Sequence, residues 1–567
     1  MSAQSKPDHD VSIETPLDDA RTRGHSRNTT SEPETEKPTP EPEYLTGAPL
    51  YLLITALILT VIIMTLDISI IATALPRITD TFDTIADIGW YGAAFTFTNS
   101  ALLPMSGKIY TFFPMKYSFI IFVAVFELGS LLCATAVSSP MFIVGRAVAG
   151  MGSSGIVNGA LSIIALAGPP ETRPMLMGIT MAVAGAGQLL GPLIGGALTQ
   201  HVTWRWCFYI NLPCGAVTIA FLTFIRFPNN SASRKIFVPK TIIKDFDIIG
   251  FAIFVPAIIM FMMALQWGGS THPWSSPTII GLLVGFAVAL IPLCYWEYRA
   301  GIDAMFPIPL FRIRVFSCAC LTAFTAGASL LILSYYLPLW FQTVKLANPV
   351  HSAIDTLPSF LSQIILAIVA GALCPRVIPY FTPFAIAGSI LATIGVGLMT
   401  TFTPTTTTAT FIGFQILSGA GRGLFMQIPV QTAQQNISKD QLAVGTAVVS
   451  FFQFFGGSLF LALGQTVLSN LLGPALGKFA PGLDPAVVLN SGATDVRGAV
   501  PGEYRGGVVL AYNEAITRTF YLAMGVSVVS VVSGLGLGWR KVERKEKVKK
   551  GETKGADVGE GMAEVKV

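Results

Sequence analysis

Charge is what this sequence has least of. Only 12% of its 567 residues are Asp, Glu, Lys or Arg, and 52% are hydrophobic; a soluble domain carries roughly a quarter charged residues. The formal net charge of +4 sits in the tails and a few short loops, so it implies no nucleic-acid partner. Histidine is almost as scarce: His9, His25, His201, His272 and His351 are the five present, all in a tail or a loop. The seven cysteines (Cys133, Cys207, Cys214, Cys294, Cys318, Cys320, Cys374) lie in or beside apolar runs and form no C-x-x-C pair. A metal or haem centre and a histidine-based enzyme therefore have too few residues to work with, and no cofactor is expected. Nucleotide hydrolysis fares no better. The nearest approach to a phosphate loop, Gly473 to Phe479, has the wrong spacing and no Ser or Thr after Lys478.

Long apolar runs are what is present. Those of about twenty residues match the length needed to cross a hydrocarbon core of roughly 30 Å as helix. Runs and breakers predict fourteen membrane helices, near 50–72, 88–107, 117–137, 141–166, 174–199, 206–226, 248–267, 277–296, 317–340, 353–374, 380–401, 407–430, 442–471 and 520–539. The fold class read from this pattern is an all-α membrane protein. With the N-terminus cytoplasmic, basic residues such as Lys108, Lys116, Arg173, Arg312, Arg314 and Arg376 gather inside, while the short outer loops keep only Arg77, Arg205 and Lys345. That is the positive-inside asymmetry. The sequons at Asn28, Asn230 and Asn436 then face the cytoplasm and are expected to carry no glycan.

Polar, proline-rich residues 1–47 are expected to be a disordered cytoplasmic tail. They lack the pattern of a cleaved signal peptide, so the first apolar run is expected to act as a signal anchor. Six helices over 48–228 and six over 317–539 flank two extra helices at 248–296. Cytoplasmic linkers at 229–247 and 297–316, an outer loop at 472–519 and a basic cytoplasmic tail at 540–567 complete the expected organisation. A faint repeat joins the two groups of six. Gln188 to Gly191 echo Gln453 to Gly456, and the glycines at 150, 152, 155 and 159 echo those at 419, 421 and 423. On this reading Arg422 holds the position that faces Arg146 in the repeat. Two parallel halves rocking about a midplane site have this layout.

Ionisable residues inside a membrane helix are costly and mark function by default. Asp67 in the first helix and Arg146 in the fourth fall at similar depth in the outer third, where they can pair or compete for a proton or a charged ligand. Glu127 is nearer the middle of the third helix. A lone carboxyl there is costly to ionise, which suits a group that takes up and releases a proton; a neutral acid bonded to a neighbouring helix is the structural alternative. In the fifth helix Gly187, Gly191 and Gly195 recur every four residues beside Gln188, Pro192 and Gly196. The glycines let a neighbour approach closely, and the proline bends the helix. Asn99, Asn158, Gln188, Gln363, Gln415, Arg422, Gln427 and Gln453 are candidates for lining a cavity, although ordinary packing between helices accounts for any one of them equally well.

These motifs carry a resemblance. Gly191-Pro192-x-x-Gly195-Gly196 looks like the antiporter signature of the major facilitator superfamily. Leu66-Asp67-Ile68-Ser69 with Ala74-Leu75-Pro76 resembles the first-helix motif of its fourteen-helix drug:proton antiporters. Gly145-Arg146 with Gly150 and Gly152 is similar to the fourth-helix motif whose arginine is implicated in proton coupling. Trp204 to Pro213 resembles the entry to helix six. The loop after helix two departs from the pattern: Thr111 stands at the acidic position and Pro114 at the second glycine. That variant, with Phe126 to Ser130 and Ala264 to Gly269, resembles fungal carriers exporting secondary metabolites and toxins, of the HC-toxin and aflatoxin kind. The resemblance implies the major facilitator fold and efflux of a small organic molecule by proton antiport with alternating access, with Asp67, Glu127 and Arg146 as proton-coupling candidates. An uptake carrier of the same fold, for a siderophore for example, is the alternative. Small-molecule substrate, protons and membrane lipid are the expected partners of a monomer in the plasma membrane, or else the vacuolar membrane.

Overall fold

The computed structural model describes residues 44–82, 88–169, 171–225, 246–269, 272–347, 349–484, 488 and 500–541. The expected N-terminal tail up to residue 43, most of the 229–247 linker, Asn28, Asn230 and the basic tail beyond 541 lie outside the described residues. The first group of helices is α1 (Ala48–Phe82), α2 (Ile88–Phe112), α3 (Met115–Ala134), α4 (Ser139–Ala167), α5 (Arg173–His201), α6 (Trp206–Tyr209) and α7 (Asn211–Phe224). Next come α8 (Ile248–Trp267), α9 (Pro277–Ala300) and the short α10 (Ile308–Phe311). The second group is α11 (Arg314–Thr343), α12 (Pro349–Arg376), α13 (Thr382–Met399), α14 (Thr408–Phe425), α15 (Ile428–Asn436), α16 (Leu442–Phe479) and α17 (Arg505–Leu535).

Twelve of the described helical segments are long and apolar enough to cross a membrane. The remaining two long helices, α2 and α14, stand where the second and twelfth predicted helices were expected but are not among those twelve. Their polar residues have a structural origin: α2 packs along α4, and α14 packs along both α12 and α13. Protein rather than lipid surrounds much of each, so their apolar content is lower.

Several boundaries differ from expectation. The tenth predicted helix, expected over 353–374, is longer: α12 is one helix from Pro349 to Arg376 and runs through Pro358. The sixth predicted helix breaks at Ile210 into α6 and α7, and the twelfth breaks before Ile428 into α14 and α15. The loop expected over 472–519 is trimmed at both ends, because α16 runs to Phe479 and α17 begins at Arg505. These extensions are held by polar contacts. Asn513 accepts from Trp340 Nε1 at 2.8 Å and donates to the Phe402 carbonyl at 3.0 Å, and Lys478 pairs with Glu514 at 3.0 Å.

The two groups pack by the same scheme. In the first, α1 lies along α5 and α7, α3 along α4 and α7, and α2 along α4; in the second, α11 lies along α16 and α17, α13 along α14 and α17, and α12 along α14. Contacts between groups are reciprocal, α2 with α16 and α12 with α5. Glycines set the register. A Cβ at Gly150 would strike Phe95 and Thr98 of α2, and one at Gly419 would strike Ser359 and Ser362 of α12. Gly152 meets Phe126 of α3, and Gly421 meets Ala392 of α13. The shift that carries Gly150 onto Gly419 and Gly152 onto Gly421 carries Arg146 onto Gln415 and Ser153 onto Arg422. It also carries Gly187, pressed on α1, onto Gly456, pressed on α11. The expected match of Arg146 with Arg422 is therefore wrong in register, and the echo of Gln188 with Gln453 is off by about one helical turn. Glycine is frequent in membrane helices, so several alignments look alike in one dimension.

α8 and α9 pack against each other, and α8 packs on α2. Their ends are fastened by Asp247, which caps α8 from a left-handed backbone conformation, φ 54°. Its carboxylate accepts from Gly250 N at 3.1 Å, Trp296 Nε1 at 2.6 Å and Met305 N at 2.7 Å. Glu297 accepts from Phe306 N at 2.9 Å, and Lys108 at the end of α2 donates to the Asp303 carbonyl at 2.6 Å. One knot thus joins α2, both extra helices and the segment leading to α11.

Candidate functional site

Asp67 and Arg146 meet inside the first group of helices. Arg146 Nη1 donates to Asp67 Oδ2 at 2.6 Å, and their side chains are 1% and 0% exposed. Such a short contact is a charge-assisted bond, and neither charge has water to solvate it. Other groups complete the shell. Arg146 Nε donates to the Tyr91 carbonyl at 3.0 Å, and the guanidinium carbon lies 4.6 Å from the centre of the Phe95 ring. Asn211 Nδ2 donates to Asp67 Oδ1 at 3.3 Å and to Ser130 Oγ at 3.0 Å. Five elements thereby converge: α1 gives Asp67, α2 Tyr91, α3 Ser130, α4 Arg146 and α7 Asn211.

Glu127 lies three residues before Ser130 and so on the same face of α3. It is buried, and among the described residues neither carboxyl oxygen has a hydrogen-bond partner. Its carboxyl occupies a notch in α7 at Gly215, where a Cβ would overlap it. Two carboxyls and one guanidinium therefore share this interior, and only one carboxyl is paired with the cation.

The glycine run of α5 faces α1. A Cβ at Gly187 would strike Thr65, and one at Gly191 would strike Ser69. Ser69 in turn lies two residues beyond Asp67, so the helix that carries Pro192 touches the helix that carries the carboxylate. Gly196 has open space around it. The residues proposed for a cavity wall fall elsewhere, mostly in helix interfaces. Asn99 accepts from Ser153 at 2.9 Å, and Asn158 donates to Ser106 at 2.9 Å, both between α2 and α4. Between α12 and α14, Gln415 donates to the Asp355 carbonyl at 2.8 Å, Arg422 donates to Ser359, and Gln363 donates to Met426 Sδ at 3.4 Å. Gln427 lines a crevice of about 10 Å³ between α5, α12 and α14, too small for a substrate. Gln188 and Gln453 are half-buried.

Thr111, expected in the loop after helix two, lies in the last turn of α2, where its Oγ1 donates to the Gly107 carbonyl at 2.9 Å; Lys116, in the first turn of α3, donates to the carbonyls of Thr223 and Ile225 at the end of α7. The geometry also shows what sequence reading passed over. Asn211 and Gly215 belong to the site, yet Asn211 appeared only as one residue of the Trp204–Pro213 run. The usable signal was an amide side chain directly after a helix break, in register with a serine one turn from a buried acid.

A family model, Major Facilitator Superfamily, matches residues 57–461. The chain belongs to the Major Facilitator Superfamily. Among curated members it is 45% identical to the MFS-type transporter pigP of Monascus ruber, over 84% of each chain. It is 43% identical to the MFS-type efflux pump MFS1 of Arthroderma benhamiae, covering 84% of this chain and 89% of that one. The efflux pump mlcE of Penicillium citrinum is also 43% identical, over 84% and 88%. Among solved structures, the proton:xylose symporter XylE superposes with a TM-score of 0.59 at 12% identity, covering 87% of this chain and 97% of XylE; this likeness concerns the fold. As a superfamily member the protein is a multi-pass membrane transporter, and the family and fold are not those of an enzyme.

Proposed function

We propose that the chain is a secondary active efflux carrier that exports a small organic molecule of secondary-metabolite or drug type in exchange for protons. The observation that carries this reading is the Arg146–Asp67 pair sealed inside the first group, with Glu127 beside it and unpaired. A buried arginine can neutralise one carboxylate, and a second carboxyl then holds a proton at lower cost than a charge. Curated relatives described as efflux pumps support the direction of transport. The close fit of the α5 glycine run against the helix of Asp67 supports a coupling between helix movement and the buried pair.

In this reading the chain crosses the membrane fourteen times, α2 and α14 counting as spans whose polar residues face protein. Six-helix groups at 48–228 and 317–539 rock about their reciprocal contacts, the pair at 248–296 lies between them, and both termini are cytoplasmic. The glycines at the group interface support alternating access. Gly107, at the end of α2, meets Val444 and Ala447 at the start of α16; Gly371, at the end of α12, meets Pro174 and Met175 at the start of α5. Both contacts hold the two groups together at the face where α1 begins, the cytoplasmic one in this topology. The plasma membrane is the proposed location.

The test is transport by the full chain in vesicles with an imposed pH gradient. Substrate extrusion that collapses with a protonophore is expected. Flux indifferent to the protonophore overturns proton antiport.

A further inference from the structure

We infer that Asn211 and Gly215 of α7 are positioning residues that assign the two carboxyls opposite duties: Asn211 holds Asp67 in its pair with Arg146, and Gly215 keeps Glu127 apart from that pair as the group that exchanges a proton. The inference rests on the proton-antiport reading and adds the residues that build the proton site.

The seam between α3 and α7 has two rungs, one helical turn apart. On the first, Asn211 bridges Ser130 Oγ at 3.0 Å and Asp67 Oδ1 at 3.3 Å, so its amide fixes the second oxygen of the carboxylate that Arg146 already holds. Asn211 can take this place because it is the first residue of α7, directly after the break at Ile210, and it is fully buried. On the second rung Gly215 lies opposite Glu127 and has no side chain to displace the acid. Any Cβ at 215 collides with the carboxyl, which would have to leave the notch and move along the seam.

The ionisable groups that act on Glu127 are Asp67 from α1 and Cys214 from α7, next to Gly215; Arg146 from α4, Cys207 from α6 and Cys133 from α3 gather around Asp67, and from α2 Tyr91 offers its carbonyl to Arg146. Arg146 is the one cation in that set, and it is engaged with Asp67. In this environment the Glu127 carboxyl finds neither a cation nor a hydrogen-bond donor among the described residues. Desolvation acts on it directly, and its protonation follows the position of its carboxyl in the notch.

The proton itself is the probe, so no substrate is needed. Infrared difference spectra of the full-length protein in lipid nanodiscs, recorded in H2O and D2O across pH, report protonated carboxyls by their C=O band. A band removed by Glu127→Gln is expected. Gly215→Ala should move the pH at which that band disappears by about one unit or more. In the Gly215→Ala background, Glu127→Asp shortens the acid by one methylene and should return the profile toward wild type. Asn211→Ala should bring in a second band that Asp67→Asn removes. Melting temperatures recorded alongside monitor the fold. Profiles unchanged in Gly215→Ala and Asn211→Ala, or a band that survives Glu127→Gln, overturn the inference. If Gly215→Ala does not fold, Glu127→Asp alone displaces the carboxyl, and an unaltered profile there overturns it equally. Protonophore-indifferent flux with these spectral results intact would sink the antiport reading alone.

Discussion

Arg146 Nη1 lies 2.6 Å from Asp67 Oδ2, and both side chains are closed off from solvent. The contact joins α1 to α4 across 79 residues of sequence, so the interior of the first group is organised around one ion pair. Removing either partner strands a charge in a medium that cannot solvate it. Asp67→Asn and Arg146→Ala should each destabilise the protein by about 3–5 kcal/mol, read as thermal unfolding in detergent. The double variant should lose much less than the sum. Additive losses would show that the two charges do not depend on each other.

Glu127 makes no hydrogen bond among the described residues, so its neutral isostere leaves the packing intact. Glu127→Gln should melt within a few degrees of wild type while losing the stimulation of transport by an imposed pH gradient. Full stimulation in this variant would remove Glu127 from the proton pathway.

Two glycines of the same α5 run should respond differently. At Gly191 a Cβ has no room against Ser69, whereas Gly196 has nothing near it. Gly191→Ala should cost about 1–3 kcal/mol through overpacking and impair transport, with Gly196→Ala close to wild type in both. Equal effects would mean that the run acts through helix flexibility rather than through its contact with α1.

Closure of one face depends on a missing side chain. A Cβ at Gly107 would overlap the Val444 backbone and the Ala447 side chain, so Gly107→Ala should push α2 off α16 and lower the rate of transport. Transport at the wild-type rate in this variant would show that the close approach of these helices is not needed for the cycle.

Asp247 tests the knot at the extra helices. It accepts three hydrogen bonds while its backbone holds φ 54°, a conformation that Asp and Asn tolerate better than most residues. Asp247→Ala should destabilise by about 2–4 kcal/mol, since two of the donors lie beyond its own helix and are left unmatched. Asp247→Asn should recover part of this. Equal melting of all three proteins would make the knot irrelevant to stability.

The sequence by itself determined that this chain is a bundle of membrane helices and roughly where each begins and ends. Backbone polar groups in lipid must be satisfied within the segment, so apolar runs and their breakers are read locally. Motifs around Asp67, Arg146 and Gly191 likewise survive in one dimension, because each lies within a few residues of chain. Tertiary structure alone decided the register of the repeat, in which Gln415 rather than Arg422 corresponds to Arg146, since glycines recur too often for sequence to choose among shifts of one turn. It also decided that Asn211 fixes Asp67 and that Gly215 makes room for Glu127. Those contacts join helices far apart in the chain, and lipid gives no hydrophobic gradient that would write a helix's partner face into its sequence.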